Sequence, residues 1–325
     1  MSVLILESID AEVMQWLADR HATRYAPELA NQPQALRDAM YDARALILPA
    51  SVAVDAQLLR AAPRLLALGR MSAGIENIDT KACELAHVQV VRSMTSSAAA
   101  EAEFVIGAIL ALLRRVPVLG SDGLLVGREL GCATVGLVGM TPAARLLAQL
   151  LPMFGTQVVG YDPALHENDP LWARWGIAPV PLRTLMEQSD AVCVQLAYFL
   201  RYRGLIGERV LSFCKRAQVL VSTSHSALFD ETGLAQALNS GRMAAAWMDC
   251  MEPGLLDPGR ALHGVASLQV TPRVASTTRE ARTRAAWAVA RRINELLQRV
   301  EPAAEPFRAR FPDELPDPLD DPDLR

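Results

Sequence analysis

Residues 134–151 read TVGLVGMTPAARLLAQLL, and this stretch decides the fold. Positions 134–138 form a short apolar run with β-branched side chains, which favours a strand, and the run leads into Gly139. A helical pattern starts near Pro142, whose fixed φ and missing N–H suit a first helical position. A strand, a glycine turn and a helix N-terminus are the setting in which a G-x-G-x-x-G fingerprint cradles a dinucleotide pyrophosphate. The three fingerprint positions hold Gly139, Thr141 and Ala144. Gly139 can make the tight turn, and alanine is tolerated at the third position. Thr141 replaces the glycine that lets phosphates approach the backbone, so its side chain either crowds a phosphate or donates a hydroxyl to it. Pro142 removes one of the N–H donors that such a helix end offers an anion. A second apolar run, 158–161, ends in Asp162, roughly twenty residues past the loop. An acid there would hold the adenosine ribose hydroxyls and favour NAD over NADP.

Outward from the loop, apolar runs alternate with helical stretches. Strands are predicted at 134–138, 158–161, 191–196, 218–222, 244–248 and 268–271, a set that matches a doubly wound nucleotide-binding domain. Upstream, strands are predicted at 3–6, 45–48, 65–68 and 88–91, again with helices between them. This β–α alternation implies an α/β protein with parallel sheets. The helix at 98–115 is apolar enough to suggest burial between domains. A last helix at 278–300 precedes a tail, 301–325, with six prolines and many acids, which reads as extended or disordered.

A length of 325 residues points to two domains, and 51% hydrophobic with 21% charged residues is ordinary globular composition. A net charge of -4 gives no electrostatic case for nucleic acid. The N-terminus lacks the basic region of a signal peptide, and no apolar run reaches the ~18 residues of a membrane span. Five widely spaced cysteines without a C-x-x-C pair indicate neither a metal site nor a disulfide framework. The expectation is a cytoplasmic protein with no metal and no membrane or nucleic-acid partner.

Several stretches together resemble the D-2-hydroxyacid dehydrogenase family, 3-phosphoglycerate dehydrogenase-like members above all. They are GRMSAGIENIDTKAC (69–83), AEFVIGAILALLRR (102–115), the 134–151 loop, VVGYDP (158–163), RGLIGERVL (203–211), VSTSHSALFDETGLAQALNSGRMAAAWMDCMEP (221–253) and VTPRVASTT (270–278). The resemblance covers residues 1–298 in order. It implies two Rossmann-like or flavodoxin-like parallel-sheet domains: a dinucleotide-binding domain at 99–292, inserted into a substrate domain made of 1–98 and 293–300. It also implies an NAD cofactor, a small carboxylate-bearing ligand and a homodimer. By the same resemblance, Ala73 and Gly74 offer backbone N–H groups to a carboxylate, Asn77 matches a further substrate-loop position, and Asp249 matches the position facing the nicotinamide.

The catalytic positions depart from the family pattern. The family arginine of N-x-x-R-G-G-x-x-D is His225, the family histidine of T-P-H is Arg273, and the position of its glutamate is Gly254, with Glu252 the nearest acid. The H-x-P-x-T segment under the nicotinamide is replaced by Gln195-Leu196-Ala197-Tyr198-Phe199, which is bulkier and more apolar. Both His225 and Arg273 follow the carboxyl ends of predicted strands, where ligands bind in open α/β sheets. Two readings follow. In one, the residues exchange roles: His225 becomes the acid/base, Arg273 the carboxylate clamp and Glu252 or Asp249 the acidic partner. In the other, the fold outlived its chemistry and the chain is a catalytically silent homodimer that senses or scaffolds.

Overall fold

The alternating runs fold into two separate parallel sheets. The computed structural model describes residues 2–72, 74–250, 252 and 254–299. The chain divides into two compact units, Met1–Ser96 with the segment from Arg282 onward, and Ser97–Ala281. The expected tail and Ala73 lie outside the described residues.

The first unit holds β1 (Val3–Ile5), β2 (Thr23–Tyr25), β3 (Ala45–Ile47), β4 (Ala67–Arg70) and β5 (Gln89–Arg92), ordered β2-β1-β3-β4-β5 with every pairing parallel. This is a flavodoxin-like order. β1 and β3 are buried throughout, which is why they read as continuous apolar runs rather than alternating ones. The edge strand β2, Thr-Arg-Tyr and largely exposed, carries no such signal and is absent from the sequence reading. Helix Arg279–Arg299 lays Ala286, Val289, Ala290 and Ile293 into the core of this unit. It approaches β4 so closely that a Cβ on Gly69 would sit 2.7 Å from Val289 Cγ1. The return to the first unit therefore falls at 281/282 rather than near 292, because the apolar face of the whole helix belongs to this sheet.

Just past β1, the Glu7 carboxyl is largely buried, and its Oε1 has no hydrogen-bond partner. Burial pushes it up from 4.5 to about 7, against the pull of Arg70, the Met71 backbone and Arg282. Between these values the native state holds a proton that the unfolded chain has lost, so stability falls as pH rises from about 4.5 through about 7. Glu7→Gln is expected to flatten that segment in urea titrations at stepped pH and to stabilise the protein above pH 7 by roughly 2–3 kcal/mol. An unchanged pH dependence would refute the assignment.

The second unit begins with helix Ala98–Arg115 and a small antiparallel hairpin, β6 (Val118–Leu119) with β7 (Leu125–Val126). Its sheet comprises β8 (Thr134–Val138), β9 (Gln157–Tyr161), β10 (Ala178–Pro179), β11 (Ala191–Val194), β12 (Val219–Ser222), β13 (Ala245–Asp249) and β14 (Leu268–Thr271). The order β10-β9-β8-β11-β12-β13-β14 is doubly wound, and its direction reverses between β8 and β11, the switch point where such sheets bind ligands. All six expected strands are present, and two-residue β10 is too short for periodicity to reveal. Helix Ala98–Arg115 departs from expectation. Its buried residues Val105, Ile109, Leu112 and Leu113 pack on this unit's own sheet with Val135 and Leu137, and Phe104 meets Trp247 edge-on with ring centroids 5.5 Å apart. Leu110 on the other side is 37% exposed, so the helix is one-faced. No helix among the described residues is long and apolar enough to cross a membrane.

Candidate functional site

The loop at the switch point is built for a tight turn. Gly139 adopts φ +92, and a Cβ there would lie 2.5 Å from the Gln195 carbonyl oxygen, so the close pass of the β8 and β11 ends demands glycine. Thr141 has a further role that the sequence reading did not name. It is the N-cap of helix Pro142–Leu150, accepting the Ala144 N–H at 3.3 Å. The same hydroxyl lies 3.5 Å from Gln195 Oε1. Ala144 is fully buried, as the third fingerprint position requires. Asp162, just past β9, accepts the Met140 N–H on Oδ2 (2.8 Å) and the Ala164 N–H on Oδ1 (2.9 Å). The carboxylate thereby ties the glycine loop to the β9 end, and each oxygen retains acceptor capacity for a ribose hydroxyl.

Beyond the carboxyl ends of β12, β13 and β14, the structure brings His225, Glu252 and Arg273 together. Glu252 Oε1 lies 3.3 Å from His225 Nδ1 and 3.7 Å from Arg273 Nη2. Glu252 is only 19% exposed on its side chain, and both of its carboxylate oxygens are buried without a hydrogen bond. Arg273 is 54% exposed, and at 3.7 Å its guanidinium is attracted to Glu252 without being hydrogen-bonded, so its donors stay available. Its backbone is left-handed, φ 52, a conformation that costs a non-glycine residue roughly 1–2 kcal/mol. Asp249 helps to hold that turn. It is 3% exposed and accepts the Thr271 hydroxyl and the Val274 and Ala275 N–H groups. Its carboxylate is thus committed to the 271–275 turn. Gly254, where the family glutamate was sought, has φ +75 in a turn that suits glycine, and the acid comes from Glu252, two residues earlier.

Two contacts at His225 Nδ1 require different protonation states. The Ala227 N–H donates to Nδ1 at 3.1 Å, which needs a bare nitrogen, whereas an ion pair with Glu252 needs a proton there. Only the first meets hydrogen-bond geometry, since both Glu252 oxygens lack a bond. With Nδ1 accepting from Ala227, the ring N–H lies on Nε2. Nearby, burial pushes the Cys250 thiol to about 12, with Glu252 adding to the effect, so it takes no part as a thiolate.

In the first unit, Arg70 organises the substrate-loop segment: its guanidinium donates to Gly74 O (3.2 Å), Leu48 O (2.9 Å) and Ser72 Oγ (3.0 Å). Asn77 donates to Pro49 O at 3.3 Å and to Val52 O, so it anchors the loop after β3. Arg70 escaped the sequence reading because a buried arginine at a strand end looks like any surface basic residue. Ser224 escaped it too, and Tyr198 was read only as part of a bulky segment, without its contact to His225. Tyr198 stacks on His225 with centroids 4.6 Å apart and planes 25° from parallel. Among the described residues no group of three or more His, Cys, Asp or Glu is placed to hold a metal ion.

The family model described as "D-isomer specific 2-hydroxyacid dehydrogenase, NAD binding domain" matches residues 113–275. The chain is similar to the (S)-sulfolactate dehydrogenase of Chromohalobacter salexigens, 31% identical over 88% of this chain and 94% of the relative. It is also similar to the D-3-phosphoglycerate dehydrogenase of Mycobacterium tuberculosis, 30% identical over 90% of this chain but only 56% of the relative, so it spans little more than half of that protein. A solved structure of D-lactate dehydrogenase from Aquifex aeolicus complexed with NAD and lactic acid aligns with a TM-score of 0.70 over 92% of this chain and 96% of that one. At 19% identity this likeness shows the fold.

Proposed function

The chain belongs to the D-isomer specific 2-hydroxyacid dehydrogenase family, and from that premise we propose an NAD(H)-linked oxidoreductase that acts on a small 2-hydroxy or 2-oxo acid through a rearranged site. His225 is the acid/base, Glu252 its carboxylate partner and Arg273 the clamp for the substrate carboxylate. The observation that carries this reading is the Glu252 carboxylate, which lies within 3.3 Å of His225 Nδ1 and 3.7 Å of Arg273 Nη2.

The residues at the switch point fit a dinucleotide. Gly139 shapes the turn, Asp162 keeps acceptor capacity for a ribose, and the Ala143 N–H in the first helical turn has no partner among the described residues. Gln195 Nε2, buried beside this loop, is a donor without an acceptor, a condition that a ligand oxygen would relieve. NADH, when bound, supplies the hydride that the 2-oxo carbon accepts. Arg273 holds the substrate carboxylate through two parallel N–H···O bonds. Protonation of Nδ1 ends its acceptance from Ala227 and lets it donate to Glu252, and the Nε2 proton then passes to the substrate's carbonyl oxygen. The ring is left neutral, with Nδ1–H held by Glu252. The reverse direction returns the proton to Nε2. Asp249 acts on the site by fixing the Arg273 turn.

A homodimer is part of this reading. It is favoured by Leu119 and Leu125, each 71% exposed on the β6–β7 hairpin, where an apolar surface of this kind marks a partner contact. The test is a fluorescence titration with NADH followed by a screen of 2-oxo acids for NADH consumption. Binding below millimolar concentration and turnover of at least one such acid are expected. Absence of binding at millimolar NADH would overturn the proposal and leave the catalytically silent homodimer.

A further inference from the structure

A general acid/base must be aimed as well as ionisable, and His225 follows β12 in a short loop that would not by itself fix an imidazole plane. What faces it comes from the end of β11. Tyr198 covers one face of the imidazole at a centroid separation of 4.6 Å and an angle of 25°. The two loops are clipped together by Ser224, 8% exposed, whose hydroxyl accepts the Leu196 N–H at 2.9 Å and donates to Val194 O at 3.1 Å. The clip sits two residues before Tyr198 in one loop and one residue before His225 in the other, so it sets the register of the stack. Nδ1 is met by the Ala227 N–H and the Glu252 carboxylate, one face by Tyr198, and Nε2 is left without a partner among the described residues.

We propose that Tyr198 is a positioning residue for the acid/base. Its ring fixes the plane of His225 so that Nε2 alone is presented for proton transfer, an inference that rests on the reading of His225 given above. The stack also removes water from one face of the imidazole. The phenolic hydroxyl has no part in this, so phenylalanine should serve as well as tyrosine. Leucine keeps the bulk but lacks a flat face.

The full-length chain and its Tyr198→Phe, Tyr198→Leu and His225→Asn variants are compared by steady-state kinetics at saturating NADH, NADH titration, and NMR of 13C-labelled histidine. Stacking should displace the His225 ring-proton resonances upfield in the wild type and in Tyr198→Phe, with kcat of the latter within about twofold of wild type. Tyr198→Leu should lose the displacement and about five- to tenfold in kcat, with KM for the 2-oxo acid unchanged. The proposal is overturned by an unchanged kcat in Tyr198→Leu, by a loss confined to KM, by a Phe variant as poor as the Leu variant, or by resonances that show no displacement. Full turnover by His225→Asn would instead remove the acid/base reading and this proposal with it, a result that no Tyr198 outcome can mimic.

Discussion

Replacing His225 with asparagine is expected to lower kcat for 2-oxo acid reduction by roughly 10²- to 10⁴-fold, the range typical of losing a positioned general acid. Asparagine is the informative choice because the histidine has two tasks. Its Nδ1 caps the short turn Ser226–Leu228 by accepting the Ala227 N–H at 3.1 Å, and an asparagine Oδ1 can take that bond over. What asparagine lacks is a titratable nitrogen at the Nε2 position. Thermal unfolding should therefore shift by only a degree or two, and NADH affinity should not move, while turnover collapses. Glu252→Gln should give a smaller loss, about tenfold, because it leaves the proton donor in place and removes only the carboxylate beside Nδ1. If His225→Asn and the wild type turned over alike, the exchanged-role reading would be wrong.

Much of this arrangement was legible in residue order and some was not. The 134–151 stretch disclosed the strand–turn–helix because Gly139, Pro142 and the burial of both strand faces leave local signatures. The placement of His225 and Arg273 just past strand ends was visible for the same reason, since each follows a strand that could be found. The partner of His225 could not be chosen. Asp249 and Glu252 are three residues apart at the end of one strand, and only the fold decides that Asp249 turns inward to three donors while Glu252 reaches across to β12 and β14. The capping role of Thr141 was not foreseen, because the fingerprint comparison weighs that position only against a phosphate. Tyr198 was read only as part of a bulky segment and Ser224 not at all: their effect lies in a contact between loops after β11 and β12 that are nearly thirty residues apart. Elements of two or three residues, such as β2 and β10, escape for a simpler reason, because so few side chains cannot establish a period.

Arg273→Lys is expected to raise KM for a 2-oxo acid roughly 10- to 100-fold, with kcat falling less, because it removes one arm of a two-point hydrogen bond to a carboxylate while retaining the charge. The position suits the test. The side chain is 54% exposed and its one ionic neighbour among the described residues is Glu252 at 3.7 Å, so the shorter stem disturbs little. Its backbone, at φ 52, is held from both sides: Thr277 Oγ1 donates to Arg273 O at 2.8 Å, and Asp249 accepts the Val274 and Ala275 N–H groups. Lysine pays the same left-handed penalty as arginine, so native stability should be unchanged within about 0.5 kcal/mol and any kinetic effect belongs to the ligand. A second substrate separates recognition of the carboxylate from recognition of the carbonyl. If Arg273 clamps the carboxylate, a 2-oxo amide of the same side chain should already be a poor substrate for the wild type and should be no worse for the Lys variant. Equal losses on the acid and the amide would place Arg273 at the carbonyl oxygen or at the cofactor instead. No loss on either would make it a solvated turn residue whose conformation is owed to Asp249 alone.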